Sequence, residues 1–230
     1  MAESTTPPPA PAHVALATVF QVREGDLTVL LWERAKDPFT GSWALPGGTL
    51  VAGETLEGSI SRHLATKVDV REVAHLEQLG IWSEPDRHPE RWELATAYLG
   101  LVPLGLDPRV PADTHWHAVD ALPETAFDHG AIVLAGRDRL RAKLSYSNIG
   151  FALAPATFTL AELRDVYEAA LGYEVSATNL KRILLRRGAI EAVGQQRAHG
   201  PAGGRPAGLY RFRERHLEVT DPFAILRPPE

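Results

Sequence analysis

The stretch LPGGTLVAGETLEGSISRHLATKVDV, residues 45–70, decides how the first half of this chain folds. From Thr55 onward its apolar residues recur every four positions, at Leu56, Ile60, Leu64 and Val68. Side chains with this spacing share one face of an α-helix, so the pattern predicts an amphipathic helix packed against a core. The glycine pair Gly47–Gly48 that precedes the helix predicts a tight backbone turn that comes close to whatever lies above it.

The neighbouring face of this predicted helix is polar and lacks carboxylates. It consists of Ser59, His63, Thr66 and Lys67, because positions three and four apart adjoin on a helix. Mg²⁺ prefers carboxylate and water oxygens, so we expect a divalent metal to bind here poorly. Lys67 offers a positive charge instead, which either contacts a diphosphate directly or is an ordinary solvated helix lysine.

The composition is that of a globular protein. A length of 230 residues suits two domains, and the absence of cysteine excludes disulfides, thiolate metal sites and a cysteine nucleophile. No apolar run approaches the roughly 20 residues that span a bilayer, and the Pro-rich residues 1–12 lack the features of a secretory signal. We therefore expect a cytoplasmic protein, not bound to a membrane, with a disordered N-terminus over residues 1–12.

Charge divides the chain into two unlike parts. Acidic residues outnumber basic ones up to residue 136, whereas basic residues outnumber acidic ones from 137 to 218. All five tryptophans lie in the first half. A positive excess confined to one segment indicates a part that meets a polyanion, such as nucleic acid.

The first half alternates predicted strands around the long helix. The β-rich runs are 13–22, 27–33, 73–83, 91–102 and 114–119. The turn at 23–26 joins the first two as a hairpin. Together these elements predict one domain over residues 13–126.

The segment after this domain predicts two helices. Residues 127–144 predict a connecting helix whose basic residues, at 137, 139, 141 and 143, point to solvent or to phosphate. The next helix begins with a capping box formed by Thr159 and Glu162. It ends at Gly172, where a left-handed residue is expected.

A further helix, SATNLKRILLRRGAI at 176–190, is strongly basic. Its N-cap is Ser176 or Thr178, and its inward face is apolar. The residues left for the outside are Asn179, Lys181, Arg182, Arg186 and Arg187.

Two short strand-like runs, 189–193 and 209–213, follow this helix. They flank a Gly-rich loop with Arg197, His199 and Arg205. Helix, helix and hairpin with a basic tip is the order of a winged helix, so residues 145–218 are predicted to bind double-stranded DNA. The second helix would read bases in the major groove and the wing would contact phosphates or the minor groove. Residues 219–230 form a C-terminal tail.

The first half resembles a Nudix domain. The spacing of the Nudix box is present at Gly48, Glu54 and Arg62, but its metal-binding glutamate positions hold His63, Thr66 and Lys67. The resemblance implies an α/β/α sandwich that binds a nucleoside diphosphate. The replaced glutamates imply that the domain is not an enzyme and holds no metal.

The whole chain resembles the Nudix-related transcriptional regulators of NAD metabolism, the NrtR family. The resemblance rests on the degenerate box together with FDHGAI (127–132), RLRAKLSYS (139–147), FTLAELRDVYEAALG (158–172) and GRPAGLYRF (204–212). It implies a homodimeric repressor that binds inverted-repeat operators of NAD biosynthesis or salvage genes. It also implies ADP-ribose, or a related NAD metabolite, as effector, with no required cofactor.

The resemblance further implies where the ligand lies. Aromatic and arginine residues beside the box hold the adenine or the ribose. The predicted ligand contacts are Arg34, Trp43, Gly47, Gly48, Glu54, Arg62, Lys67 and Arg87. Two of them have an alternative interpretation, since Trp43 suits core packing and Arg87 suits an ordinary surface position.

Two other functions stay open at this point. The first is a Nudix pyrophosphatase with an accessory winged helix, whose metal site would combine Glu54, Glu57, Glu84, Asp86 and Glu90. The second is an adaptor whose winged helix binds protein instead of DNA.

Overall fold

The computed structural model describes residues 10–197 and 206–221. The first half contains strands β1 (Ala12–Arg23), β2 (Asp26–Glu33), β3 (Trp43–Ala44), β4 (Gly47–Thr49), β5 (His75–Trp82), β6 (Glu93–Leu101) and β7 (Thr114–Ala118), with helices α1 (Leu56–Lys67) and α2 (His129–Tyr146). The second half contains β8 (Phe158–Thr159), α3 (Leu160–Leu171), α4 (Ala177–Arg186), β9 (Ile190–Arg197) and β10 (Ala207–Phe212). Short 3-10 turns lie at Val119–Ala121 and Ile149–Ala152. The helices and longer strands predicted from the sequence are confirmed.

The strands of the first half form one mixed sheet. Their order is β3-β2-β1-β6-β5, with β4 paired to β1 and β7 paired to β2. Strands β1 and β6 run parallel, and β1 and β2 form the predicted antiparallel hairpin. The central position of β1 explains why its sequence is apolar almost throughout.

Alternate side chains of β1 serve two different cores. Ala17 packs with Ile60 of α1 on one face, and Phe20 packs with Ile132 of α2 on the other. This alternation follows from the two-residue period of a strand. The sheet therefore lies between α1 and α2, and the predicted α/β/α sandwich is confirmed.

Helix α2 lies close against the sheet because it carries a glycine at the contact. A Cβ atom added at Gly136 would be 2.5 Å from Cγ2 of Thr18 and 3.2 Å from the Phe20 ring. A larger residue would push the helix away from β1. The segment predicted as a connector is thus one outer layer of the first domain.

The prediction that the basic residues of α2 point to solvent or phosphate is wrong. Lys143 and Arg139 form ion pairs with Glu77 of β5, at 2.9 and 3.5 Å. The Nε of Arg141 donates a hydrogen bond to the carbonyl of Ala170, at 3.2 Å. These charges hold α2 to the sheet and to α3.

The second half has the predicted winged-helix order. Strands β8, β10 and β9 form a three-stranded sheet in that order. Helix α3 has the full capping box between Thr159 and Glu162, and Gly172 ends it with a φ of 77°. Both local predictions are confirmed, since a left-handed residue after a helix is most often glycine.

One apolar core joins the two halves. Phe20 and Ile132 of the first domain belong to the same buried cluster as Phe158, Leu163 and Phe212 of the winged helix. The winged helix is therefore packed onto the first domain and does not hang from a free linker. Within the described residues, no helix is both long and apolar enough to cross a membrane.

Candidate functional site

A cleft opens above β4 and the end of α1. The side chains that give it chemical character are Trp32, Arg34, Lys67, His88, Phe127 and His129. Its cavity volume is about 140 Å³, below the roughly 300–1,000 Å³ of pockets that bury a drug-sized ligand. A ligand of dinucleotide size would therefore extend over the open rim of the cleft.

Lys67, in the last turn of α1, turns back across the cleft. Its Nζ donates a hydrogen bond to the Gly47 carbonyl at 2.7 Å and lies 4.8 Å from the centroid of the Trp32 ring. Burial, followed by the nearby cations Arg34 and Arg62, lowers the pKa of Lys67. An ammonium has three donors, so this arrangement leaves donors for an anion.

Arg34 brings a second cation to the cleft. Its guanidinium lies 4.8 Å from the centroid of the Phe127 ring, and its Nε donates to the Pro38 carbonyl at 2.9 Å. The Phe127 ring also stacks with the His88 ring, at 5.2 Å between the ring centroids. Burial lowers the pKa of Arg34. The cleft lining therefore combines an aromatic surface with the cations Lys67, Arg34 and Arg91 and one carboxylate, Glu93.

His129, at the start of α2, holds the loop below the cleft. Its Nδ1 accepts a hydrogen bond from the Leu45 amide at 3.0 Å. Burial lowers the pKa of His129 to about 3, so the ring is neutral near pH 7. The loop that leads to the Gly47–Gly48 turn is thus tied directly to α2.

Glu54 and Arg62 of the box bind each other. Their two N–O distances are both 2.7 Å, and the hydrogen bond from Arg62 lowers the pKa of Glu54 to about 2. Arg62 also donates to the Thr49 carbonyl at 3.4 Å. The structure places neither residue in the lining of the cleft, and the pair instead braces the loop between β4 and α1.

Gly48 allows the box histidine to pack against β4. A Cβ at Gly48 would lie 2.6 Å from Cε1 of His63, and His63 Nε2 lies 3.3 Å from the Thr49 carbonyl. Burial lowers the pKa of His63. The polar face of α1 is therefore turned onto the strand and is largely covered.

Two predicted ligand contacts, Arg87 and Trp43, lie outside the cleft lining. The side chain of Arg87 is only 2% exposed and forms ion pairs with Glu93 and Asp128 at 3.0 and 2.8 Å. The interpretation of Arg87 as a surface residue is therefore wrong. Trp43 packs edge-on against His117, at 4.3 Å between ring centroids, which is the packing role considered for it, and its assignment as a ligand contact stays a prediction.

Sequence reasoning missed several cleft residues, among them the aromatic, imidazole and charged side chains of Trp32, His88, Arg91, Glu93, Phe127 and His129. Trp32 lies in a predicted strand, where an aromatic residue is common and therefore does not indicate a ligand contact. Phe127 and His129 were assigned to a connecting helix. The available signal was the cluster of aromatic and imidazole side chains at 127–129, which follows the strand predicted over residues 114–119.

The Nudix resemblance implies a divalent metal on the polar face of α1, and the residues there do not fit one. The Gly47 carbonyl, a hard oxygen ligand of the type Mg²⁺ prefers, already binds the Lys67 ammonium. In the part of the chain that the structure describes, no three acidic or histidine side chains converge in a way that could hold a metal ion. The carboxylates considered for an alternative metal site are therefore not brought together.

Helix α4 presents a polar, basic surface. Ser176 is its N-cap and accepts a hydrogen bond from the Asn179 amide, which decides between the two predicted caps. Its exposed polar residues are Thr178, Asn179, Arg182 and Arg186. Arg182 donates to the Asn179 side chain at 2.7 Å. These side chains lie where the recognition helix of a winged helix would meet bases.

Other residues predicted to bind DNA have partners within the protein. Arg187 is 13% exposed in its side chain and forms an ion pair with Asp221 at 2.9 Å, so its assignment to the outer face is wrong. Lys181 lies over the Tyr210 ring at 5.4 Å, and Arg197 forms an ion pair with Glu162. His199 and Arg205 lie outside the described residues.

Two family models match the chain. The Nudix domain model matches residues 12–135, and the model of the NrtR DNA-binding winged helix domain matches residues 150–212. The two matches together cover both halves of the fold.

Three relatives are similar to this chain. The ADPR responsive transcriptional repressor NtrR of Acinetobacter baylyi is 31% identical over 96% of this chain and 89% of its own length. An ADP-ribose pyrophosphatase of Methanocaldococcus jannaschii is 32% identical over 57% of this chain and 76% of its own length. Shewanella oneidensis NrtR, solved in complex with a 27mer DNA, has a TM-score of 0.73 at 30% identity, covering 87% of this chain and 93% of that one. Its Nudix domain, solved with ADP ribose, has a TM-score of 0.51 at 29% identity, covering 61% of this chain and 99% of that one.

The fold and the two sites define a Nudix domain joined to a DNA-binding winged helix, the architecture of a ligand-responsive transcriptional regulator. The similarity to the Acinetobacter repressor, which extends over 96% of this chain and 89% of that protein, narrows the class further. The chain belongs to the NrtR family of Nudix-related transcriptional regulators.

Proposed function

We propose that this protein is a DNA-binding repressor of NAD biosynthesis or salvage genes, and that its Nudix domain binds ADP-ribose, or a related NAD metabolite, to control operator binding. The observation that carries the proposal is a cationic cleft packed, through α2 and one shared core, against a winged helix with an exposed basic α4. The names of the Acinetobacter and Shewanella relatives support both halves of it. The protein acts in the cytoplasm, at the nucleoid.

The path from the cleft to the DNA-binding domain runs along α2. His129 contributes to the cleft at one end of this helix, and Arg141 bonds to α3 near the other. At 18 residues the helix is about 27 Å long, from the rise of 1.5 Å per residue. A ligand that shifts His129 or Phe127 thus acts on a rigid element that touches the winged helix.

Ligand control of DNA binding follows from linkage. ADP-ribose changes operator affinity only if its affinity differs between the DNA-binding and non-binding conformations. In a homodimer, rotation of α2 would change the distance between the two α4 helices. An inverted-repeat operator requires a defined half-site spacing, so such a change alters affinity.

Fluorescence anisotropy tests this function directly. The probe is a duplex of the intergenic region beside the gene of this protein, titrated with the full chain, with and without ADP-ribose. We expect a clear change in operator affinity with ADP-ribose and none with AMP. Unchanged affinity with ADP-ribose would remove it as the effector. Arg182→Ala is the matched control, because it should weaken DNA binding and keep ADP-ribose binding.

The alternative function is hydrolysis of ADP-ribose, which the similarity to the Methanocaldococcus pyrophosphatase supports. It requires a metal-bound carboxylate set, and Glu54, the carboxylate retained from the box, is held by Arg62. Chromatography of ADP-ribose incubated with the protein and Mg²⁺ or Mn²⁺ decides the matter. Release of AMP above about 1 s⁻¹, within the usual range of enzymes, would favour the hydrolase.

A further inference from the structure

Lys67 holds a position in the cleft that a metal ion cannot share with it. In the Nudix resemblance this position belongs to a metal-binding glutamate, and here its ammonium donates to the Gly47 carbonyl at 2.7 Å. A cation is therefore already bound to the carbonyl oxygen of Gly47, a residue that lines the cleft. The charge that a metal would bring is supplied by the chain itself.

We propose that the Lys67 ammonium replaces the divalent metal as the counter-charge of the diphosphate, so that this site binds a nucleoside diphosphate without any metal ion. The inference rests on the proposed function, because it takes the effector to carry a diphosphate. Beyond that function, it names Lys67 as the residue that recognises the diphosphate, and it states that recognition needs no divalent metal ion.

The distribution of charge around the cleft supports this role. Arg62 is neutralised by Glu54, and Arg91 and Arg87 both pair with Glu93. By contrast, neither Lys67 nor Arg34 forms an ion pair with a carboxylate anywhere in the described ranges 10–197 and 206–221. These two cations are close enough for Arg34 to lower the pKa of Lys67. The cleft therefore has an uncompensated positive charge that an anion would neutralise.

The surroundings of Lys67 limit how far water can solvate its ammonium group. The side chain is partly buried, with the Trp32 ring on one side. A buried cation without a counter-ion is unfavourable, and the approach of a diphosphate removes that cost. Lysine binds phosphate as a compact point charge, with two donors still free after the bond to Gly47.

Calorimetric titration of the full chain with ADP-ribose in EDTA is the primary test. We expect wild type to bind in EDTA and to gain nothing from millimolar Mg²⁺. Lys67→Met should bind about 10- to 100-fold more weakly, the range for a lost charged hydrogen bond. Lys36→Met is the matched control, since it removes an exposed lysine that does not line the cleft and should bind as wild type does.

A second variant restores the chemistry of the box. Lys67→Glu places a carboxylate beside the Gly47 carbonyl, which creates oxygen ligands where wild type has an ammonium. In EDTA this variant should bind ADP-ribose more weakly than Lys67→Met does. Millimolar Mg²⁺ should restore part of its affinity and leave the affinity of Lys67→Met unchanged.

A ligand series separates recognition from a merely structural role. Loss of Lys67 should weaken ADP-ribose and ADP strongly and adenosine hardly at all, whereas a deformed cleft would weaken all three alike. Thermal unfolding monitored by circular dichroism confirms that each variant is folded. If Lys67→Met binds ADP-ribose as wild type does, or if wild type requires Mg²⁺, the inference is wrong and the proposed effector stands. If wild type binds ADP-ribose in neither buffer, the proposed function fails instead.

Discussion

Arg87 and Asp128 form a bidentate ion pair, with N–O distances of 3.0 and 2.8 Å, that ties the loop before β6 to the start of α2. Asp128 is the N-cap residue of that helix. Arg87 also pairs with Glu93, which lines the cleft. A continuous network of charges thus runs from the cleft to the helix that reaches the winged helix.

Arg87→Met should lower the free energy of unfolding by about 3–5 kcal/mol, because it removes a buried cation and leaves Asp128 without its ionic partner and Glu93 with Arg91 alone. Urea denaturation monitored by fluorescence measures this change. Arg71→Met is the control, since the Arg71–Asp69 pair is exposed and such pairs contribute only about 0–1 kcal/mol. Equal, small effects of both substitutions would contradict a structural role for Arg87.

Arg182→Ala and Arg186→Ala should each weaken binding to duplex DNA and make it less dependent on salt. Both side chains are exposed on α4, and a lost phosphate contact reduces the slope of log affinity against log salt by about 1. Anisotropy titrations over a range of salt concentrations give this slope. Wild-type slopes in both variants would show that α4 does not face DNA.

Arg187→Ala should behave differently from its neighbours on α4. Its guanidinium is paired with Asp221, so we expect lower stability, by about 1–3 kcal/mol for a lost hydrogen-bonded partner, with an unchanged salt slope of DNA binding. Thermal unfolding and the same anisotropy titrations measure the two quantities. A changed slope at full stability would return Arg187 to the DNA-binding surface.

His129 should make the stability of the protein sensitive to mild acid. Burial lowers its pKa to about 3, while Asp128 raises it and Arg87 and Arg34 lower it; the unfolded value is about 6.5. Between these values the unfolded state binds the additional proton. The contribution of neutral His129 is therefore fully present above about pH 6.5 and is lost as the pH falls toward 3, by up to about 1.4 kcal/mol per pH unit.

His129→Asn tests this linkage, because the asparagine side chain offers an acceptor to the Leu45 amide and does not titrate. Between pH 7 and pH 5 the variant should lose about 2 kcal/mol less stability than wild type. Both proteins contain the other histidines whose pKa is lowered, His63, His88 and His117. Their contributions to the pH dependence therefore cancel in the comparison. If the free energy of unfolding changed with pH by the same amount in both proteins, the lowered pKa would not belong to His129.

Gly136→Val should destabilise the protein by about 1–3 kcal/mol, the usual cost of overpacking. Its Cβ would lie 2.5 Å from Thr18, so α2 must move away from β1. Ala142→Val, at an exposed position of the same helix, controls for the lower helix propensity of valine and should cost less than about 0.7 kcal/mol. Chemical denaturation of both variants provides the comparison.

Local patterns in the sequence predicted the elements of the fold well. The four-residue spacing of Leu56 to Val68 and the capping box at Thr159 depend on neighbours within a few positions, so the chain itself determines them. The same is true of the alternation in β1, whose residues face two cores. The order helix, helix, hairpin then predicted the winged helix.

The roles of individual charges could not be predicted in the same way. Arg87 and Asp128 are 41 positions apart and Arg187 and Asp221 are 34 apart, so their pairing depends on how the elements pack. Trp43 and Trp32 look alike in sequence, yet only Trp32 faces the cleft.

The sequence by itself determined that the box helix carries Lys67, a cation, at a position where the Nudix pattern has a carboxylate. Only the tertiary structure decided that this ammonium bends onto the Gly47 carbonyl while its fellow cations Arg62 and Arg87 are neutralised. The physical reason is that electrostatic interactions depend on distance and burial in space, and both are set by packing between elements remote in the chain.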